Sequence, residues 1–158
     1  MTEPVFRELT HDECEALLAV NHVGRIAFSF HDRTDIEPIH YVFEHGWIFG
    51  RTAEGSKLTT IGHQPYVAFE VDEVHAVFDW RSVVAHGTVY VLSPEGGQVD
   101  AAEYDRAVGL LRRFLPTTLK AGDPTPFRTV LFGVHVDELA GREARQAKRP
   151  RTPKAAAK

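Results

Sequence analysis

Hydrophobic and polar residues alternate along several short stretches of the chain, as in strands that bury one face. The pattern is clear at Arg25–Phe30, where Ile26, Phe28 and Phe30 share a face, and again toward the end of the chain. A turn is expected over 32–35, and His45-Gly46 reads as a hairpin turn. Six strands are predicted in this way: 25–30, 39–43, 47–52, 67–71, 77–92 with a bend at Gly87, and 127–136.

Two longer helices carry start signals. Thr10-x-x-Glu13 is a capping box that predicts a helix from His11 to about Val20, and Asp100-x-x-Glu103 predicts a second helix that Pro116 stops. A short helix is expected near Ser56. Because most strands follow one another without an intervening helix, the pattern favours a mainly β fold, an antiparallel six-stranded barrel with peripheral helices.

Composition narrows the class of protein. The 158 residues are 43% hydrophobic and 25% charged, as in one globular domain. No apolar run is long enough to span a bilayer, and no signal-peptide pattern is present, so a cytoplasmic location without membrane contact is expected. The single cysteine, Cys14, fits a reducing compartment and is expected to be a packed, inert thiol.

Charge divides the chain into two parts. Of its 18 Lys and Arg and 22 Asp and Glu, seven basic residues and one acidic residue lie in 142–158. Residues 1–141 therefore carry 11 basic against 21 acidic residues, a net charge of −10 that disfavours nucleic acid as a partner. We expect residues 1–141 to form the folded domain and residues 142–158 to be a flexible, solubilising basic tail.

The segment from Trp47 to Leu58 combines a strand, a glycine-containing turn and a helix start, which together can bind an anion. Arg51, Thr52, Ser56 and Lys57 supply positive charge and hydroxyl groups around such a site. The spacing fits neither a Walker loop nor a Rossmann glycine motif. Taken alone, a solvated polar turn with a helix cap explains these residues equally well.

Three segments occur here in a characteristic order: RTAEGSKL from Arg51, VAFEVDE from Val67, and WRSVVAHG from Trp80. In this combination, over roughly Leu9 to Arg142, the chain resembles the pyridoxamine-phosphate-oxidase-like, FMN-binding split-barrel superfamily. Within it, the chain is similar to the small bacterial branch that includes the nitroimidazole-resistance proteins. The resemblance implies a split barrel that binds FMN at a homodimer interface, with 112–114 and 126–127 as candidate partner contacts.

The resemblance also assigns roles to individual residues. It implies that the phosphate and ribityl chain of FMN contact Arg51, Thr52, Ser56 and Lys57. It further implies that Trp80, Ser82 and Val83 approach the isoalloxazine ring, with Ser82 donating to a flavin carbonyl or N5, and that the main chain near Ile39, His40 and Tyr41 lines the other side. His40 is the candidate catalytic residue, since an imidazole can protonate a reduced product near neutral pH. A core-filling Trp80 and a structural His40 are the competing interpretations.

The resemblance implies an FMN-dependent oxidoreductase acting on a small molecule, with nitroaromatics as one candidate class, since flavins carry hydride chemistry. A true pyridoxamine-phosphate oxidase is not expected, because that enzyme's substrate-phosphate residues in a longer C-terminal region are not visible here. The alternatives are a deazaflavin-dependent reductase and a non-catalytic flavin- or haem-binding protein. No metal site is expected, since the nine histidines lack compact ligand spacing.

Overall fold

The computed structural model describes residues 3–61 and 65–147 and contains one antiparallel sheet with three helices. The elements in chain order are β1 Pro4–Glu8, α1 His11–Val20, β2 Val23–Phe30, β3 Arg33–Glu44, β4 Trp47–Thr52, α2 Lys57–Thr60, β5 Tyr66–Ala76, β6 Asp79–Val91, α3 Ala101–Phe114 and β7 Val130–Gln146.

Six of the seven strands close into a barrel. The sheet order is β1-β7-β4-β3-β2-β5-β6, and β6 pairs with β7 to complete the ring. The strand β7 is long enough to pair with both β4 and β6. Its 17 residues pair with β4 at one end and with β6 over most of their length. A register shift in the β6–β7 pairing lies at Gly87, where a Cβ would stand 2.2 Å from the carbonyl oxygen of His135. The predicted bend at Gly87 is thus a bulge that allows close backbone contact.

The seventh strand, β1, corrects two sequence-based expectations together. It pairs antiparallel with β7, from Pro4 opposite Gln146 to Glu8 opposite Arg142. The sheet therefore continues through Gln146, past the expected domain boundary at residue 141, and 142–146 are strand rather than flexible tail. The hydrophobic pattern predicts neither β1 nor the strand at 142–146. β1 is largely exposed and its residues do not alternate between buried and exposed positions. Residues 148–158 of the predicted tail lie outside the described residues.

Three arginines surround one buried carboxylate at this junction. Arg7, Arg81 and Arg145 lie 2.8, 3.2 and 3.3 Å from Glu143. Burial raises the pKa of Glu143, but the arginines outweigh that effect and leave its pKa below the usual value. The ion cluster fastens β1, β6 and β7 to one another.

Two turns with left-handed backbone conformation connect β2 to β3 and β3 to β4. His31 and Asp32 have φ of 48° and 59°, and His45 and Gly46 have φ of 48° and 77°. Two consecutive positive φ values are typical of two-residue hairpins whose twist matches that of the strands. The predicted turn over 32–35 is therefore wrong in extent, because β3 already begins at Arg33. The His45-Gly46 turn is confirmed.

Two apolar clusters hold the fold together. The barrel interior contains Ile26, Tyr41 and Phe69, and α1 and α2 add leucines to it. Val42, which the pleat turns to the opposite face from Tyr41, belongs to a second cluster with Phe49 and Leu111 of α3. The predicted start of α1 is confirmed, since the Thr10 hydroxyl accepts a hydrogen bond from the Glu13 amide.

Candidate functional site

The strand-to-helix corner after β4 brings three predicted residues together. Thr52 donates a 2.9 Å hydrogen bond to the Ser56 hydroxyl, and Ser56 is the N-cap of α2, whose first residue is Lys57. The helix has only four residues, so its dipole is small and side chains must supply most of the attraction for an anion. We define Thr52, Ser56 and Lys57 as the polar corner.

Lys57 has an ion-pair partner in the polar corner. Its ammonium lies 2.9 Å from Asp35 on β3, and this hydrogen bond lowers the pKa of the Asp35 carboxyl. The Lys57 side chain remains 48% exposed. Exposed pairs of this kind contribute little stability, so a phosphate group can compete with Asp35 for Lys57.

Arg51 occupies a different environment from the polar corner. Its side chain is 8% exposed and that of its partner Asp123 is 2% exposed, with guanidinium–carboxylate distances of 2.7 and 3.1 Å. Arg51 also donates to the Thr125 hydroxyl and the Arg128 carbonyl. The side-chain bond from Arg51 holds the pKa of Asp123 well below its usual range, and amide donors from Thr125 and Leu119 add to this effect. Arg51 therefore anchors the loop between α3 and β7, and its charge is already compensated there.

His40 opens onto a cleft between β3, α3 and that loop. The cleft has a volume of about 240 Å³ and we call it the His40 cleft; its lining comprises His40, Arg51, Leu111, Phe114, Leu115, Thr118, Pro124, Thr125 and Arg128. His40 is exposed, and its ring centroid lies 6.2 Å from that of Phe114. Phe114 in turn stacks on His22 at 4.4 Å with an interplanar angle of 29°. The cleft is thus an apolar space with one imidazole and two arginines among its walls.

The two neighbours of His40 on β3 do not offer side chains to this cleft. Ile39 packs against the barrel core. Tyr41 is completely buried, and its hydroxyl donates a 2.6 Å hydrogen bond to the Leu18 carbonyl. Any contact of Ile39 or Tyr41 with a ligand is therefore limited to main-chain atoms.

The structure does not bring together the side chains of Trp80, Ser82 and Val83. Trp80 and Ser82 line a groove across β6 and β7 with a volume of about 380 Å³, whereas Val83 is completely buried in the barrel core. Ser82 lies 3.3 Å from a carboxylate oxygen of Glu70 and donates to it. While this long bond is made, the hydroxyl oxygen can only accept a further hydrogen bond; the donation to a flavin expected from the sequence requires the hydroxyl to rotate away from Glu70.

Glu70 is a polar residue of this region that the sequence analysis did not single out. Arg25 bridges Glu70 and Asp72 at 3.4 and 3.3 Å. Burial raises the pKa of Glu70, the neighbouring Asp72 raises it further, and Arg25 opposes both. Its only signal in the sequence is an acidic residue within an apolar strand, VAFEVDE.

The predicted site residues therefore lie in three places on one protomer: the His40 cleft, the polar corner and the Ser82 groove. β2 and β5 separate β3 from β6. Three inter-strand spacings place Ser82 about 14 Å from His40 along the sheet. A ligand that contacts all these residues must span a wide surface or lie between two protomers.

Two structural findings bear on other predicted properties. Within 3–61 and 65–147, no three His, Cys, Asp or Glu side chains converge as metal ligands. Among the helices described, none has the length and apolar character needed to cross a membrane.

Comparison with known proteins identifies relatives. A family model described as pyridoxamine 5'-phosphate oxidase matches residues 10–143. A structure of a candidate pyridoxamine 5'-phosphate oxidase from Corynebacterium glutamicum is 27% identical, with a TM-score of 0.69, and the match covers 94% of this chain and 99% of that one. The FAD-binding protein of Mycobacterium smegmatis is also 27% identical, with a TM-score of 0.65 and coverage of 87% and 98%.

A third structure shares the fold. A candidate 5-nitroimidazole antibiotic resistance protein from Bacteroides thetaiotaomicron has a TM-score of 0.68 at 16% identity, over 89% of this chain and 88% of that one. The predicted mainly β, split-barrel fold is confirmed, with β1 as an additional strand. Because the family model covers most of the sequence, from the N-cap of α1 to the ion cluster on β7, the chain belongs to the pyridoxamine 5'-phosphate oxidase family.

Proposed function

We propose that this protein is an FMN-dependent oxidoreductase that acts as a homodimer on a small molecule such as a nitroaromatic. The observation that carries the proposal is the polar corner, where two hydroxyl groups lie beside Lys57, a lysine that can exchange its Asp35 partner for a phosphate. The chain's membership of this family supports the same proposal. A phosphate group needs several donors to replace its lost hydration, and the corner provides them. The flavin, when bound, supplies the hydride chemistry.

The protein's own residues would position the reactants. Thr52, Ser56 and Lys57 would bind the phosphate. Ser82, with its proton held by Glu70, would accept a hydrogen bond from an N–H group of the ring system. His40, exposed at its cleft, would exchange a proton with the substrate.

The separation of the site residues supports the homodimer. The Ser82 groove and the His40 cleft lie on different parts of one barrel, so a second protomer is the simplest way to bring a flavin at the groove and a substrate at the cleft together. Phe127, next to the cleft residue Arg128, is 61% exposed, and a partner would cover it.

FAD is the second candidate cofactor. The observation that favours it is the 27% identical relative from Mycobacterium smegmatis, which is described as an FAD-binding protein. FAD shares the flavin ring and its first phosphate with FMN, so the polar corner serves either cofactor.

Titration of flavin-free protein with FMN and with FAD separates the two candidates. We expect tighter binding of FMN, bleaching of its visible absorbance under anaerobic NADH or NADPH, and recovery of colour on adding a nitroaromatic acceptor. Tight binding without bleaching by either donor would contradict the oxidoreductase and leave a flavin-binding protein.

His40→Ala tests the proposed proton transfer. The variant is expected to keep its flavin affinity, because the phosphate contacts are elsewhere, and to lose about a hundredfold or more in turnover with the acceptor. His86→Ala, at an exposed histidine on β6, is the matched control. If both variants and the unmodified protein had the same turnover, His40 would have no part in proton transfer.

A further inference from the structure

The His40 cleft is a separate compartment from the polar corner. Arg51 lines the cleft, and its bonds to the buried Asp123, which is not among the lining residues, leave neither charge free for a ligand. Thr52, Ser56 and Lys57 are not among its lining residues. What remains for a ligand is the space between His40, Phe114 and Arg128.

The size of the cleft limits what can bind. An apolar cavity of about 150 Å³ accepts benzene. A volume of about 240 Å³ therefore suits a single substituted ring. Phe114 provides an aromatic wall that is fixed in orientation by its stacking on His22.

The positive charge of Arg128 favours a ligand that carries a negative group. Arg128 lines the cleft, and among the residues described it forms no salt bridge with a carboxylate. No acidic residue is among the lining residues described, and the nearby Asp123 is neutralised by Arg51. The cleft therefore offers one uncompensated positive charge on a body whose net charge is −10.

We propose that the His40 cleft binds a small, single-ring aromatic anion, with the ring against Phe114 and the negative group at Arg128. As an assignment of substrate class, this rests on the proposed function; as an assignment of a binding site, it requires no flavin. It narrows the substrate from any nitroaromatic to one that carries an acidic group.

The test compares two probes that differ in charge: 4-nitrobenzoate and the neutral 4-nitrobenzyl alcohol. Binding of each is measured calorimetrically to the flavin-free protein and to protein saturated with FMN. We expect nitrobenzoate to bind at least about tenfold more tightly, the usual effect of a charge-assisted hydrogen bond. Equal affinities, or no binding of nitrobenzoate, would overturn the proposal. Displacement of nitrobenzoate by FMN would assign the cleft to the cofactor instead and would also overturn it.

Four variants locate the effect. Arg128→Gln is expected to abolish the preference for nitrobenzoate, whereas Arg128→Lys keeps most of it. Phe114→Leu should weaken both probes. Arg113→Gln is the matched control for the loss of one arginine, because Arg113 is an exposed residue of α3 that does not line the His40 cleft. A loss of preference in Arg113→Gln equal to that in Arg128→Gln would overturn the assignment to Arg128.

Flavin affinity measured on the same samples separates the two proposals. Protein that binds FMN but not nitrobenzoate refutes the cleft assignment alone. Protein that binds nitrobenzoate but no flavin refutes the proposed function and leaves the cleft as an aromatic-anion site.

Discussion

His40 and Tyr41 are adjacent on β3, yet one is exposed and the other is completely buried. The pleat of a strand turns successive side chains to opposite faces, so one position decides between ligand contact and core packing. The same step separates Ser82, in a surface groove, from Val83, in the barrel core. Their side chains therefore have separate roles, and substitution distinguishes them.

Tyr41→Phe is expected to lower the free energy of unfolding by about 1–2 kcal/mol, because the Leu18 carbonyl loses its buried donor. Urea denaturation measures the change. Tyr66→Phe is the control, since Tyr66 is 74% exposed. Equal stability of the two variants would mean that the Tyr41 hydroxyl contributes nothing.

Lys57→Ala is expected to weaken FMN binding by about 1.5–3 kcal/mol through loss of a charge-assisted contact with phosphate. Lys120→Ala, at an exposed lysine outside the polar corner, controls for the change in net charge. Fluorescence titration measures both affinities. If Lys57→Ala bound FMN as well as Lys120→Ala does, the polar corner would not be the phosphate site.

At the scale of elements, the loop between α3 and β7 depends on one buried ion pair. Asp123 binds Arg51 and also accepts hydrogen bonds from the amides of Leu119 and Thr125. This single carboxylate thus ties the loop to itself and to β4. The arrangement holds the loop residues Thr118, Pro124 and Thr125 in the wall of the His40 cleft.

The Asp123 pair predicts a dependence of stability on pH. Since its pKa is depressed in the folded protein, the unfolded chain binds more protons at low pH. The stabilisation is complete above the ordinary aspartate pKa near about 4 and is lost as pH falls toward the folded pKa. Asp123→Asn should therefore be less stable than the unmodified protein at pH 7, by a margin that shrinks below about pH 4.

Thermal melts between neutral pH and about pH 2 measure that margin across the range in which aspartate titrates. Asp105→Asn, at an exposed position on α3, should show no such margin. A margin for Asp123→Asn that stays constant with pH would refute the role of the ionised pair.

Several elements could be predicted from the sequence and others could not, for physical reasons. The start of α1 and the strand β2 follow from local signals, a capping box and an alternating run. β1 could not be predicted, because its existence depends on pairing with residues 142–146, about 140 positions away in the sequence. The sequence suggested Arg51 as an anion ligand. No local pattern shows that Asp123, far away in the sequence, forms an ion pair with it.

At the scale of the whole molecule, the distribution of the candidate site over one barrel predicts a functional dimer. Lys57→Ala and Trp80→Ala should each weaken flavin binding if the two residues contact one ligand. If they contribute from different protomers, co-expression of the two variants produces mixed dimers in which one of the two sites is intact.

Flavin bound per chain, measured after separating mixed dimers by affinity tags, tests this arrangement. Recovery of binding in the mixed dimer is expected. No recovery, or a monomeric mass with undiminished flavin affinity, would mean that the site is complete within one chain.

The central claim is that this barrel binds a flavin. The most direct measurement is the absorbance spectrum of the purified protein before and after adding FMN, followed by acid release and identification of any bound chromophore. The proposal predicts a yellow protein that releases about one FMN per chain, the number that a symmetric dimer with two equivalent sites requires. A colourless protein that remains unchanged with FMN and FAD, or the release of haem instead, would contradict it.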